Sequence, residues 1–413
     1  MVDPPVDVPT GNVADLVTGA SEKVPGRPGL VDVPGGRSLT WQRVDAAVDR
    51  YAHVLAERGV ARGDRVAVVV SNGLQACVVL FAVLRVGAVG VPLGVDAVPR
   101  EIDRVLDHSG VCFAFGIPRV TDRAGRVGTA LPDPVIEDAP SERFSAIGGG
   151  EDLALLCYTS GTAGSPRGVM LSHRALLANV GQCAALRPAP VVANDRVLLG
   201  VPLAHAYGLS GLWQVALTGA TGVLIGRFTV DAALDACREH RVSTVVGVPA
   251  MYRAMATAGR DRLGDALSRV RMLTSGAAPL DPRTHAAFQA ATGLPIFEGY
   301  GLTETGPVLT STLVGGANPV RSAARSPGST CAWSTPTDCR SRAGTTGMPE
   351  MTWLPRSARN PIPASSPPVA RTCSAATGRT VTAAPTRTAG SAPPTSATST
   401  PTATSAWSTG QAT

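Results

Sequence analysis

Residues 158–173 read YTSGTAGSPRGVMLSH and directly follow the apolar run Leu153–Cys157. Glycines and hydroxyl side chains in this stretch surround one cation, Arg167. Glycine allows the backbone to approach a ligand closely, and a guanidinium pairs well with phosphate oxygens. A strand that ends in such a loop predicts a phosphate-binding site. The residues assigned to it, besides Arg167, are Thr159, Ser160, Gly161, Thr162 and Gly164.

The loop is not of the Walker type, because neither Gly161 nor Gly164 is followed by Gly-Lys-Ser/Thr at the required spacing. A flexible Gly/Ser surface turn is the alternative on composition alone. The stretch closely resembles a signature of the adenylate-forming superfamily, which includes acyl-CoA synthetases, luciferases and peptide-synthetase adenylation domains. Members usually have lysine at the position of Arg167. The positive charge is kept here, but a planar fork replaces a compact ammonium group.

A second stretch, Gly299–Thr305 (GYGLTET), resembles another signature of the same superfamily. The resemblance implies that Tyr300 lies against adenine, that Thr303 contacts the α-phosphate and that Glu304 holds Mg²⁺. A ring, a hydroxyl and a hard carboxylate suit these roles. Together with Arg167, Thr303 and Glu304 are the candidate catalytic residues. The nucleotide-binding candidates in this stretch are Gly299, Tyr300, Gly301 and Thr303.

Two further segments match the superfamily in its usual order. Val201–Gly208 (VPLAHAYG) is similar to the segment that borders the acyl pocket, which makes His205 and Gly208 candidates for that pocket. A buried core histidine is the alternative for His205. Ser275–Leu280 (SGAAPL) is similar to a segment that encloses the nucleotide. The resemblance, which runs from about residue 10 to residue 318, adds Gly276, Ala277 and Ala278 to the nucleotide-binding candidates.

Helical and strand patterns alternate through the first 318 residues. Arg65–Val70 (RVAVVV) is typical of a strand covered on both faces. This alternation predicts an α/β fold with two doubly wound parallel sheets. Strands are expected at 65–70, 90–93, 197–201, 222–225, 244–248 and 269–274, and helices at 74–86 and 282–291.

Composition limits the other classes of function. The net charge is +6, but residues 321–413 contain nine Arg, one Asp and one Glu, so the first 320 residues sum to −1. No basic stripe with aromatic residues is present there, so nucleic-acid binding is not expected. The chain has no long apolar run and no signal-like start, and its eight cysteines form no C-x-x-C pair. We therefore expect thiols, no membrane span and a cytoplasmic location.

Near residue 320 the composition changes to mostly Ala, Ser, Thr, Pro and Arg. A disordered stalk is one interpretation. Another is a change of reading frame between Pro319 and Ser322, because a shift by one base makes Ser322–Asp338, Val369–Gly378 and Thr388–Gly410 compatible with three successive superfamily segments. We therefore divide the chain into an incomplete large domain, 1–318, and a tail, 319–413, that is disordered or misfolded.

The resemblance implies ATP-dependent activation of a fatty or aryl carboxylic acid, followed by thioester formation with coenzyme A, as in fatty acid metabolism. It also implies a small C-terminal domain with a lysine at the reacting carboxylate. Such a domain is missing from the expected fold, and Lys23 is the single lysine of the chain. Activity is therefore expected to be impaired. The alternatives are an acyl-AMP ligase that loads an acyl carrier protein and a non-catalytic nucleotide-binding fragment.

Overall fold

Two β-sheets organise the part of the chain that the computed structural model describes, residues 10–116, 120–121, 127–136, 141–159, 167–313 and 324–325. These residues all belong to the first of two units, Met1–Thr352 and Trp353–Thr413. The proposed tail, 319–413, lies outside the described residues except for 324–325.

The first sheet has a parallel centre and antiparallel edges. Its strands are β1 (Pro28–Asp32), β2 (Arg37–Thr40), β10 (Arg196–Leu199), β11 (Thr221–Leu224), β12 (Thr244–Gly247), β13 (Met272–Ser275), β14 (Ile296–Gly301), β15 (Val308–Ser311) and β16 (Ala324–Arg325). Their order is β16-β15-β14-β13-β12-β10-β11-β1-β2. The strands from β14 to β1 run parallel, whereas β2, β15 and β16 pair antiparallel.

The second sheet follows the same plan. Its strands are β3 (Arg65–Val70), β4 (Val89–Gly94), β5 (Phe113–Phe115), β6 (Val120–Thr121), β7 (Val127–Ala130), β8 (Leu153–Thr159) and β9 (Arg167–Ser172). Their order is β6-β7-β5-β3-β4-β8-β9. In this sheet the described antiparallel pairs are β6–β7 and β8–β9, one at each edge. The expected α/β class with two sheets dominated by parallel pairing is confirmed.

Helices cover both faces of each sheet. They are α1 (Asp15–Lys23), α2 (Trp41–Glu57), α3 (Leu74–Arg85), α4 (Pro99–Ser109), α5 (His173–Ala184), α6 (Ala206–Thr218), α7 (Val230–Glu239), α8 (Pro249–Ala256), α9 (Arg260–Ala266) and α10 (Pro282–Thr292). Four of the helices begin at a residue whose side chain accepts a backbone hydrogen bond, namely Thr40, Ser172, Thr229 and Asp281. Such caps satisfy N–H groups that lack a partner within the helix.

Strand alternation assigns each core to one face of a sheet. In β10, Val197 and Leu199 join the core that contains α1, α2, α3, α5 and α6, whereas Leu198 joins the core of α7 to α10. The first of these cores also contains Val66 and Val68 of β3, so it lies between the two sheets. A third core packs α4 on the outer face of the second sheet. The result is five layers, helix–sheet–helix–sheet–helix.

Asn72, directly after β3, joins the two sheets. Its side-chain amide donates to the carbonyl oxygens of Leu199 at 3.0 Å and Val201 at 2.8 Å, and its Oδ1 accepts from the N–H of Leu203 at 2.9 Å. Asn72 is buried. The loop that leaves β10 is therefore held from the second sheet by three hydrogen bonds to its backbone.

Two other expectations are tested by the described residues. None of the described helices has the length and apolarity needed to cross a membrane. Four described cysteines are buried free thiols, Cys77, Cys157, Cys183 and Cys237.

Candidate active site

The candidate residues on the first sheet gather at one edge because the strands that deliver them are parallel neighbours. The chain passes from β10 to β11 on one side and then returns to place β12 on the other side of β10. Such a reversal of strand order opens a crevice at the carboxyl ends of the strands. The segments at 201–208, 276–278 and 299–305 follow or end β10, β13 and β14 at that edge.

The base of the glycine-rich loop is a strand pair. Thr159 ends β8 and is paired in register with Arg167, the first residue of the antiparallel strand β9. The stretch is therefore a hairpin loop rather than a strand-to-helix loop. Arg167 is exposed and Thr159 is half-buried. Ser160, Gly161, Thr162 and Gly164 lie outside the described residues.

Strand β9, which follows this loop in the chain, lies close to the second signature. Backbone positions of β9 lie within 8 Å of the 3₁₀ turn Thr303–Thr305. Glu304 is exposed and Thr303 is half-buried. Among the described residues, no group of three acidic, His or Cys side chains could hold a metal ion. An exposed carboxylate nevertheless fits Mg²⁺, since this ion is usually held by one or two carboxylates together with the phosphates of a nucleotide.

Asn179 on α5 fixes the turn that carries Thr303 and Glu304. Its amide donates to the carbonyl of Val308 at 2.7 Å and to that of Thr305 at 3.4 Å, and its Oδ1 accepts from the N–H of Val308 at 3.3 Å. Asn179 is buried. Motif comparison did not find this residue, because it lies on another helix, 129 positions before Val308.

The nucleotide and acyl candidates meet at Tyr207. A Cβ added to Gly276 would lie only 2.8 Å from the Tyr207 ring, so glycine is required where the ring packs on the end of β13. Burial raises the pKa of Tyr207 to about 12, against the opposing effect of a hydrogen bond with Thr274. The ring is therefore neutral and forms part of the wall between the two candidate segments. Tyr207 lies within the segment Val201–Gly208, but the sequence alone predicts no role for it.

Ala277 and Ala278 are exposed beside this ring. Ala277 has φ +68°, in the left-handed region that residues with a Cβ seldom occupy. Ser275, two positions before Ala277, is buried, and its hydroxyl has no hydrogen-bond partner among the described residues. Strained backbone and unpaired buried donors concentrate at functional sites. The end of β13 therefore has features of a ligand-binding segment that its sequence alone did not reveal.

The end of β14 presents a ring to solvent. Tyr300 is 51 % exposed, which leaves its ring available for stacking. A Cβ on Gly301 would lie 1.7 Å from the carbonyl oxygen of Pro307, whereas a Cβ on Gly299 would make only ordinary contacts, at 3.7 Å and beyond. The packing of the protein requires glycine at 301 but not at 299.

His205 and Gly208 begin α6 at the same edge. His205 is exposed, which disagrees with the alternative of a buried core histidine. A Cβ on Gly208 would lie 2.2 Å from the carbonyl oxygen of Pro202, so this glycine is required by close backbone packing. The structure thus brings together the described members of all four candidate segments.

Comparison with known proteins agrees with this arrangement. The family model for the AMP-binding enzymes matches residues 17–349, which extends beyond residue 318. The chain is 36 % identical over 279 residues to a feruloyl-CoA synthase of Amycolatopsis sp, covering 66 % of this chain and 56 % of that protein. It is 32 % identical over 350 residues to 4-coumarate–CoA ligase 1 of Oryza sativa subsp. japonica, covering 76 % and 61 %.

Among solved structures, apo MatB from Rhodopseudomonas palustris superposes with a TM-score of 0.65 at 27 % identity, covering 77 % of this chain and 65 % of MatB. The chain thus spans a little over half the length of the curated relatives named here. The extent of the family match and the proximity of β9 to the turn of the second signature lead to one conclusion: the chain belongs to the AMP-binding enzyme family.

Proposed function

We propose that this protein is built for ATP-dependent activation of a carboxylic acid to an acyl-adenylate, followed by transfer of the acyl group to coenzyme A. The observation that carries the proposal is the approach of strand β9, which begins at Arg167, to the Thr303–Thr305 turn, together with the packing of Tyr207 on Gly276. In this proposal the phosphate-binding donors, a metal-binding carboxylate and an aromatic wall share one crevice. ATP and coenzyme A also make the cytoplasm the expected location.

In the first step a carboxylate oxygen attacks the α-phosphorus, a new O–P bond forms and pyrophosphate leaves with the electron pair of the broken P–O bond. Arg167 and the hydroxyls of Thr159 and Thr303 would position the phosphates, and Tyr300 would stack on adenine. Glu304 would hold Mg²⁺, which neutralises phosphate charge when bound. Preorganised groups of this kind act by positioning and by stabilising charge.

In the second step the thiol of coenzyme A, as thiolate, attacks the acyl carbon and AMP leaves. We propose that His205, Gly208 and Tyr207 border the acyl site. Aromatic acids are the first substrates to test, because the similar proteins are named for feruloyl-CoA and 4-coumarate–CoA formation. Fatty acids are the second class, and a carrier protein is the alternative acceptor.

The proposal is tested by acid-dependent ATP–pyrophosphate exchange, using protein translated in the restored reading frame. We expect exchange with at least one aromatic or fatty acid, and AMP release that depends on coenzyme A. Glu304→Gln should lower exchange roughly 10²–10³-fold, the usual loss for one such preorganised group. Glu57→Gln, an exposed site at the end of α2, should leave it unchanged. Absence of exchange with every acid would refute the assignment.

A further inference from the structure

A second pocket lies at the opposite edge of the first sheet. Its volume is about 310 Å³, and its lining consists of Asn194, Arg196, Arg241, Ser243 and Arg269. Arg196 is the first residue of β10, Ser243 directly precedes β12, and Arg269 lies three positions before β13. The pocket is therefore at the amino ends of these strands. A four-residue strand, roughly 13 Å long, separates it from the candidate active site.

The pocket is strongly cationic. Three of its five lining residues are arginines, and the other two are neutral. Within the described part of the chain, no ion pair involves Arg196, Arg241 or Arg269, and the Nε of Arg196 is buried without a hydrogen-bond partner. A buried donor without a partner is costly. An anion bound in the pocket would give this donor a partner.

The nearby carboxylate of Asp195 is already occupied. Arg271 donates from Nε to its Oδ1 at 2.8 Å and forms an ion pair with its Oδ2, and the Ser243 hydroxyl donates to Oδ1 at 2.7 Å. Asp195 is buried, and burial opposes its ionisation, but the hydrogen bonds of Arg271, Val192 and Ser243 together hold its pKa below the usual value. Asp195 is thus paired with Arg271 and does not neutralise the charge of the arginines that line the pocket.

The backbone at Arg241 provides a second, independent observation. Arg241 has φ +51°, and it follows the end of α7. Its N–H donates to the carbonyl of Arg238, and the N–H of Val242 donates to that of Cys237 at 3.0 Å. This pattern is the helix ending in which glycine is the usual left-handed residue. The helices α4, α6 and α10 of the same chain do end at a left-handed glycine: Gly110, Gly219 and Gly293.

An arginine at this position carries a backbone penalty that glycine would avoid. The helix ending itself does not require the side chain. Arg241, however, lines the pocket together with two other arginines. We therefore attribute the presence of arginine at position 241 to an interaction that its side chain makes.

We propose that this pocket, which we call the arginine pocket, binds a small anion that carries a phosphate group. Three guanidinium groups suit the charge and the several oxygens of a phosphate better than a single carboxylate. The size of the pocket fits a small ligand. A nucleic acid is not expected, because the first 320 residues carry a net charge of −1 and no basic stripe.

The test measures phosphate binding by calorimetry, and the melting temperature with and without phosphate, at constant ionic strength. Arg241→Gly should raise the melting temperature in phosphate-free buffer, because it relieves the backbone, and should weaken phosphate binding about tenfold or more. Arg269→Gln should weaken binding similarly. Arg253→Gln removes an exposed arginine on α8 and serves as the control, with wild-type binding expected.

Binding measurements with three different anions identify the kind of anion that the pocket takes. Inorganic phosphate and glycerol 3-phosphate distinguish a free ion from a phosphate ester, and binding of either one supports the proposal if the pocket variants lose it. Acetate at equal ionic strength tests for a general anion effect. Any binding of phosphate at the candidate active site is common to all variants and cancels in the comparison. The proposal fails if Arg241→Gly and Arg269→Gln keep wild-type phosphate affinity, if acetate binds equally well, or if Arg241→Gly lowers the melting temperature without phosphate.

Discussion

Glycines of the candidate site differ in what makes them necessary. At Gly208, Gly276 and Gly301 the space for a Cβ is taken by atoms of the protein itself. At Gly299 the nearest atom, the carbonyl oxygen of Thr310, lies at 3.7 Å, an ordinary contact. The first three are therefore explained by packing, whereas Gly299 leaves open space beside Tyr300. That space is where we propose that the adenine lies.

Replacing Gly299 and Gly301 separates packing from ligand binding. Gly299→Ala should change the free energy of unfolding by no more than about 0.5 kcal/mol and should weaken ATP binding. Gly301→Ala should cost about 1–3 kcal/mol, because the added methyl overlaps a carbonyl oxygen. Urea unfolding and calorimetric titration with ATP measure the two effects. Unchanged ATP affinity in a stable Gly299→Ala protein would argue against adenine at this position.

The sequence was informative about residues that belong to contiguous motifs and silent about those that act across the fold. Thr159 is paired with Arg167, and Tyr300 and Glu304 are exposed, while the roles that the motifs give them stay predictions. Asn72 and Asn179 were missed, because each bonds to backbone groups more than 120 positions away. An asparagine that binds remote backbone leaves no local pattern, so a single sequence carries no signal for it.

Individual elements followed their sequence patterns closely when they were buried on both faces. The strand at 65–70 and the helix starting at 74 were predicted correctly, and the other predicted strands are displaced by three residues or fewer. The antiparallel strands β2, β6, β9, β15 and β16, which lie at or next to the edges of the sheets, were not predicted. Edge strands are short and lie partly in solvent, so they lack the continuous apolar run that identifies a central strand.

The start of α5 is tied to the start of α1 by a histidine that must stay neutral. His173 is buried, and its Nδ1 accepts from the N–H of Val13 at 3.0 Å. Burial lowers the pKa of His173 from 6.5 to about 4, although the charge of Asp152 opposes this. Protonation would remove the acceptor and place a charge in the core between the sheets.

This depressed pKa predicts acid-sensitive stability. The folded state excludes a proton that the unfolded chain accepts, so the contribution is complete above pH 6.5 and is lost as the pH falls towards 4. The full loss would be about 3 kcal/mol. Urea unfolding from pH 7 to pH 4 should therefore show a steeper decline for the wild type than for His173→Asn, which keeps an acceptor but does not titrate. Parallel pH profiles for the two proteins would contradict this account.

At the scale of the whole molecule, the chain combines a neutral body with a cationic tail of different composition. The family match extends to residue 349, whereas the change in composition near residue 320 led us to propose a frame change between Pro319 and Ser322. The segments assigned to the other frame resemble those that follow the Thr-Glu motif in the superfamily. The frame change remains a hypothesis about the gene, and it is open to direct measurement.

Resequencing codons 315–325 from the source is the first measurement. We expect an inserted or deleted base there. We also expect the chain as printed to make no acyl-CoA and the frame-restored chain to make it, because several preorganised groups would return together. Robust thioester formation by mass-verified protein of the printed sequence would refute the second expectation, and an unaltered frame in the source gene would refute the first.

Asn72 forms hydrogen bonds only to main-chain atoms at the end of β10 and in the stretch after it: two carbonyl oxygens and one N–H. Hydrogen bonds to backbone atoms do not depend on which side chains the bonded residues carry. Mutations in that stretch can therefore change the shape and polarity of the proposed acyl site without removing the hydrogen bonds that hold its backbone. The proposed acyl site can therefore change its side chains, while the contact between the two sheets at Asn72 stays the same.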